Sequence, residues 1–311
     1  MRRALLVTVS SLFVLASCGG SSSSSVTTNV ESPQGKCAPT TQNPTVGMAA
    51  ITEEYKVVVW DSPASTAPRQ LEQIGDDPFS SNTGSDLTVV ETVAVSTKTC
   101  EVFVGACCEP VSGITFFDKD RDGEWETLMG HLSVISPDGE LLARVAYEEL
   151  LISSVANPEE TIVTINLPKA DVATIYRAQW INGDEVALSG FTKNGAYVWI
   201  ARMSEGTLRE AAQLSETVNW TSTGLWNVGL IGVDENGNVV TQTAATGNQS
   251  VLEYRYPDSL DVSSTDSVPA SVRSYVMKGK RSVMVSDNGA LTTWFGNGDP
   301  IAVDGKYVWA G

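Results

Sequence analysis

The run Asp118-Lys119-Asp120-Arg121-Asp122-Gly123-Glu124-Trp125-Glu126 places carboxylates at positions 1, 3, 5 and 9, with glycine at position 6. Alternate spacing lets a tightly curling backbone aim every second side chain at one hard cation, and the glycine permits the sharp turn. Asp118, Asp120, Asp122 and Glu126 are therefore the candidate ligands of a calcium ion. Position 12 of a helical calcium loop is glutamate, but here it is Met129, which argues against an EF-hand. Ile114-Thr115-Phe116-Phe117, just before the run, is strand-like rather than helical. Lys119 and Arg121 offset part of the charge. The competing reading is a solvated acidic hairpin turn.

Apart from Cys18, the chain has four cysteines: Cys37, Cys100, Cys107 and Cys108. An even number in an exported chain suits two disulfides, with three possible connectivities. A bond between the neighbours Cys107 and Cys108 would strain the peptide joining them. The preferred arrangement has one bridge within the Cys100–Cys108 region and one reaching Cys37. Zinc is disfavoured, because His131 is the only histidine and the cysteine spacing matches no familiar ligand pattern. The same scarcity bears on catalysis, since a Ser-His-Asp arrangement would have to be built around His131. That residue precedes Leu132-Ser133-Val134 at a predicted strand start, which suits a structural or exposed histidine. No G-x-S-x-G elbow, phosphate loop or dinucleotide fingerprint occurs. A carboxylate pair could do acid–base work, but nothing singles one out among 37 acids. No catalytic residue is assigned. Most tryptophans stand in apolar strand runs and read as packing, whereas Trp125 and Trp226 have polar neighbours and are expected to be more exposed.

The N-terminus begins Met1-Arg2-Arg3, followed by an apolar run from Ala4 to Leu15 broken only by Thr8, Ser10 and Ser11. This is a basic n-region and an h-region of signal-peptide length. It falls short of the ~20 apolar residues that a permanent membrane helix needs. Leu15-Ala16-Ser17-Cys18 resembles the lipobox of bacterial lipoproteins. That resemblance implies cleavage before Cys18 and attachment of lipid to its thiol, a membrane anchor of acyl chains (palmitate among them), and an extracytoplasmic location. Gly19-Gly20 and the serines from Ser21 to Ser25 follow as a flexible polar tether. The Thr-, Ser- and Pro-rich composition continues that tether to about residue 47. The expected division is a leader over 1–17, a lipidated tether over 18–47 and a folded domain over 48–311.

With 37 acidic against 20 basic residues, the formal charge is −17, and loss of Arg2 and Arg3 with the leader makes it more negative. Nucleic-acid binding is excluded as a class, because phosphates demand a basic face. Adsorption to anionic headgroups is disfavoured too, which leaves lipid as the anchor.

These groups have to be positioned by β-structure. Tyr55-Lys56-Val57-Val58-Val59-Trp60, Val102-Phe103-Val104, Thr161-Ile162-Val163-Thr164-Ile165 and Tyr197-Val198-Trp199-Ile200 are β-branched or aromatic runs bounded by turn residues. Only Thr207 to Leu214 reads as helical, for about two turns. Turn signals recur before apolar runs at Asp138-Gly139, Asn182-Gly183, Asn236-Gly237 and Asn288-Gly289, each predicted to supply positive φ. Their steps of roughly 44 to 54 residues suit a β-propeller of four-stranded blades, and residues 48–311 hold about six. A pair of β-sandwiches is the alternative. Lys306-Tyr307-Val308-Trp309 would complete the N-terminal blade and protect its edge.

Ser136-Pro137-Asp138-Gly139-Glu140-Leu141-Leu142-Ala143 resembles the repeat of TolB-like six-bladed propellers. Ala106-Cys107-Cys108-Glu109-Pro110-Val111-Ser112-Gly113 resembles a segment of envelope propellers of that type. The acidic run also resembles the D-x-D-x-D-G loops set between strands in some propellers. These resemblances imply a membrane-associated, non-catalytic binding scaffold for an envelope protein or ligand. The alternative is a calcium-dependent propeller hydrolase or lyase acting on extracellular sugars, lactones or esters.

Overall fold

A computed structural model describes residues 35–54, 56–65, 67–71, 89–107, 113–117, 125–169, 173–209, 211–216, 228–246, 249–269 and 272–311. Among these every regular element is a strand, and no helix is long and apolar enough to cross a membrane. The first sheet contains β1 (Ala49–Thr52), β2 (Val57–Val59) and β3 (Arg69–Gln70). A second runs through β4 (Val89–Val95), β5 (Val102–Cys107), β6 (Ile114–Phe117) and β7 (Glu126–Met129). The third runs through β8 (His131–Ile135), β9 (Leu141–Ala146), β10 (Glu149–Ser154) and β11 (Asn157–Asn166).

In the fourth sheet, β12 (Ala173–Trp180) and β13 (Glu185–Thr192) lead to β14 (Gly195–Arg202). The free edge of β14 takes both β15 (Thr207–Leu208) and β16 (Ala212–Ser215). Two further meanders follow. One is β17 (Gly229–Asp234), β18 (Val239–Thr246), β19 (Gln249–Arg255) and β20 (Val262–Pro269). The other is β21 (Val272–Gly279), β22 (Arg281–Ser286), β23 (Leu291–Phe295) and β24 (Ile301–Val303). A parallel pairing of β17 with β21 joins them into one eight-stranded sheet. The last strand, β25 (Tyr307–Ala310), returns to pair with β1, so the C-terminus completes the N-terminal sheet as its sequence suggests.

The core lies between these units rather than inside any one of them. In β1 and β2, Ala49, Ile51, Val57 and Val59 face the β4–β7 sheet, while Met48, Ala50, Val58 and Trp60 face the β21–β24 meander. Alternate side chains of a strand point to opposite faces, so a strand buried on both faces is apolar at every position. That is why Val57-Val58-Val59-Trp60 carries no polar residue. Equivalent layers separate β4–β7 from β8–β11 and β8–β11 from β12–β16. Others separate β12–β16 from β17–β20 and β17–β20 from β21–β24. The first strands run side by side, β4 against β8, β8 against β12 and β12 against β17, and β21 packs on β25. Each unit is thus held mainly by its two neighbours, and the last by the first.

Two local expectations are revised. Thr207 to Leu214 is not helical: its ends form β15 and β16. Two turns of helix are marginal alone, whereas the open edge of β14 offers backbone partners to both ends. The turn repeat also changes phase. Asp138-Gly139, Asn182-Gly183 and Asn236-Gly237 join the first and second strands of their units, but Asn288-Gly289 joins β22 to β23. Its chemistry nonetheless matches that of Asp138-Gly139. The Asp138 Oδ1 accepts from Glu140 N at 3.1 Å and Asn288 Oδ1 from Ala290 N at 3.1 Å, with Gly139 and Gly289 at φ 77° and 80°. Gly183 is not at positive φ; there Asn182 Oδ1 shapes the turn by accepting from Asp184 N and Glu185 N.

Candidate functional site

Two features concentrate polar chemistry near the seam where the chain ends meet. The first is the segment 35–47, expected to be tether but here part of the folded unit. Cys37 N donates to Thr97 O at 2.9 Å and Gly47 N to Trp60 O at 2.8 Å, which seats the segment on two sheets. Arg281 of β22 donates from Nη1 to Val46 O (2.9 Å) and from Nη2 to Gly47 O (3.0 Å), adding a third unit. Gly47 sits at φ 72°, where a Cβ would lie 2.4 Å from Cys37 O. The folded boundary therefore lies upstream of Met48, because residues poor in apolar side chains are anchored through their backbone.

The disulfide expected to reach Cys37 comes from Cys100, with Cα atoms 5.4 Å apart. A second bridge within the Cys100–Cys108 region cannot then use Cys100. The topology explains why: Cys100 ends the β4–β5 turn, whereas Cys107 closes β5 about 20 Å away at ~3.3 Å per residue. Cys108 and Cys18, the expected site of lipidation, lie outside the described residues.

The second feature is the β21–β22 hairpin. Gly279-Lys280 forms its two-residue loop, with Gly279 at φ 58°, the glycine-first pattern of a tight hairpin. Lys278 and Arg281 stand directly opposite each other across it. Like charges in that relation repel. Arg281 is buried and spends two nitrogens on carbonyls, while its Nε has no partner among the described residues. Lys278 is half-buried and makes no hydrogen bond or ion pair to a described residue. Burial, reinforced by the Arg281 charge, pushes the Lys278 amine down to about 7, and burial alone takes Arg281 to about 10.

Arg144 resembles Arg281: it is buried, its Nη1 and Nη2 donate to Met129 O and Pro158 O, and its Nε has no partner among the described residues, whereas buried Glu185 is well paired. Glu185 receives Arg202 Nη2 at 2.7 Å, Arg209 Nη2 at 3.0 Å and Asn182 Nδ2 at 3.0 Å. Arg209 also reaches Pro257 O at 2.8 Å, tying β12–β16 to β17–β20. Nothing in the sequence marked Lys278 and Arg281 beyond two cations flanking a Gly-Lys turn after an apolar run.

Of the predicted calcium ligands, Asp118, Asp120 and Asp122 lie outside the described residues. Glu126 opens β7, exposed and opposite Phe117 of β6. In sequence the run joins β6 to the edge strand β7. Among the described residues no group of three or more His, Cys, Asp and Glu side chains could hold a metal ion. His131 begins β8, half-buried, with its side chain against Gly113. Trp125 is partly buried, packed against the layer between the first two sheets, and is more exposed than the buried Trp60, Trp180 and Trp199. Trp226 lies outside the described residues.

No protein-family model matches the chain. No curated protein matches it either. Among solved structures, TolB from Acinetobacter baumannii is 10% identical, with a TM-score of 0.52 over 85% of this chain and 65% of that one. The chain therefore spans just under two thirds of that TolB. The Dos1 propeller is 11% identical, with a TM-score of 0.46 over 82% of this chain and 71% of that one. A nidogen/laminin complex is 10% identical, with a TM-score of 0.49 over 80% and 88%. Likeness at such identity speaks to architecture alone. Together with the sheet order and the layers between sheets, the TolB likeness identifies the fold as a β-propeller of TolB-like architecture.

Proposed function

We propose that this chain is an exported lipoprotein whose six-bladed propeller acts, without catalysis, as a binding scaffold for a protein or ligand of the bacterial envelope. The reading is supported by a propeller fold preceded by a leader-like N-terminus, the lipobox-like run Leu15-Ala16-Ser17-Cys18 and a serine-rich stretch. The six blades correspond to the five meanders β4–β7, β8–β11, β12–β16, β17–β20 and β21–β24, with β25 and β1–β3 as the sixth. Since the folded unit begins by Gly35, the tether reduces to residues 18–34. Seventeen residues of Ser-rich coil reach about 20–25 Å on average, enough to hold a domain close to a bilayer. Two or three acyl chains on Cys18 meet the requirement for stable anchoring.

In this reading calcium is a structural cofactor of the β6–β7 hairpin. Asp118, Asp120, Asp122 and Glu126 would hold it, and Glu126 fits by being exposed and uncommitted to any described residue. Position at the outer edge of a sheet favours a stabilising ion over a catalytic one.

The test is Cys18→Ala in cells, followed by fractionation and fatty-acid labelling. The expected result is release from membranes with no label; persistent labelling would overturn the anchor. Crosslinking in intact cells then tests the scaffold, with a partner captured by the wild type and lost from the released variant.

A further inference from the structure

We propose that Lys278, backed by Arg281, is a binding point for a small oxyanion, a carboxylate or a phosphate. The argument starts from the register of the hairpin, which sets the two cations directly opposite each other on one face. Alternation along β22 puts Val283 and Val285 on the same face as Arg281. That face packs on Met48, Ala50, Val58, Trp60, Tyr307 and Ala310 of the N-terminal sheet. A chain with 37 acids against 20 bases leaves two adjacent cations without an acidic partner among the described residues.

Buried charges are normally paired, and an unpaired one is costly. Arg144, buried, and Arg177, half-buried, also have only carbonyl acceptors, but neither faces a second cation as Lys278 faces Arg281 across the hairpin. The two cations differ in what they can give. Arg281 is committed to Val46 O and Gly47 O, so it contributes charge from a fixed position. Lys278 is partly exposed and donates to no described residue, so it makes the direct contact. An oxyanion there would relieve the repulsion across the hairpin and occupy the ammonium. The site is independent of the lipid anchor and of the calcium hairpin.

The experiment uses the purified full-length chain with inorganic phosphate or acetate, against chloride at matched ionic strength. Acylation of each lysine is followed by mass spectrometry, with the exposed Lys56 and Lys98 as internal controls. Phosphate or acetate at ten times its dissociation constant should slow acylation of Lys278 about tenfold, by mass action, and leave the controls unchanged. The same anion should raise the melting temperature of the wild type and not that of Lys278→Met. Protection by only one anion would narrow the class to that chemistry. Equal acylation of Lys278 in all three salts would overturn the proposal, as would an equal thermal response in Lys278→Met. Because the labelling is done on the wild type, a folding defect in the variant does not remove the test.

Discussion

Lys278 carries a cost that pH should reveal. In the unfolded chain its amine titrates near the ordinary value of 10.5, whereas burial and Arg281 bring it to about 7 in the fold. Below pH 7 both states hold the proton, and the fold carries the full penalty of a charge confined beside another. Between pH 7 and about 10.5 the unfolded chain binds more protons, so this residue makes stability rise with pH. Lys278→Met should flatten that rise and be more stable than wild type at pH 6, as read by urea unfolding at pH 6, 8 and 10. A wild-type slope unchanged by the substitution would show that Lys278 is not its source.

At the scale of elements, the 35–47 segment and the β6–β7 hairpin make separate predictions. The Cys37–Cys100 bond closes a separation of 63 residues, and closing a loop of that size stabilises by about 4 kcal/mol. Cys100→Ser should lose stability of that order in urea and expose residues 35–47 to limited proteolysis. Retention of the segment would mean that its hydrogen bonds to Thr97, Trp60 and Arg281 suffice alone. Millimolar calcium should raise the melting temperature of the wild type and have no such effect on Asp120→Ala, since an ion bound only by the fold stabilises it. Equal responses in both would remove the metal from the hairpin.

For the whole molecule, stability rests on the return of β25 to β1. Without residues 307–311 the first sheet loses a strand, and its layer against β21–β24 loses Tyr307 and Ala310. Both of those residues are buried, and a free sheet edge is a template for aggregation. The truncated chain should lose its single cooperative unfolding transition and aggregate at concentrations where the full chain stays soluble. Light scattering and denaturant unfolding measure the two effects. An unchanged midpoint would show that packing between the other units is sufficient.

What the sequence determined by itself is local. Runs such as Val57-Val58-Val59-Trp60 specify strands buried on both faces, Asp138-Gly139 specifies its hairpin turn, and Lys306-Tyr307-Val308-Trp309 reads as the strand that completes the first sheet. The proposed leader and the lipobox-like run ending at Cys18 are patterns of residue order alone. Tertiary structure decided what depends on which distant segments meet. Thr207 to Leu214 became strand because β14 had an open edge, and Cys37 found Cys100 rather than another thiol because β5 carries Cys107 away from it. Arg281 reaches Val46 and Gly47 across separations of 235 and 234 residues, which no local pattern encodes. A fold whose last strand pairs with its first sheet brings the two ends of the chain together, so the seam and the cations beside it exist only in the folded molecule.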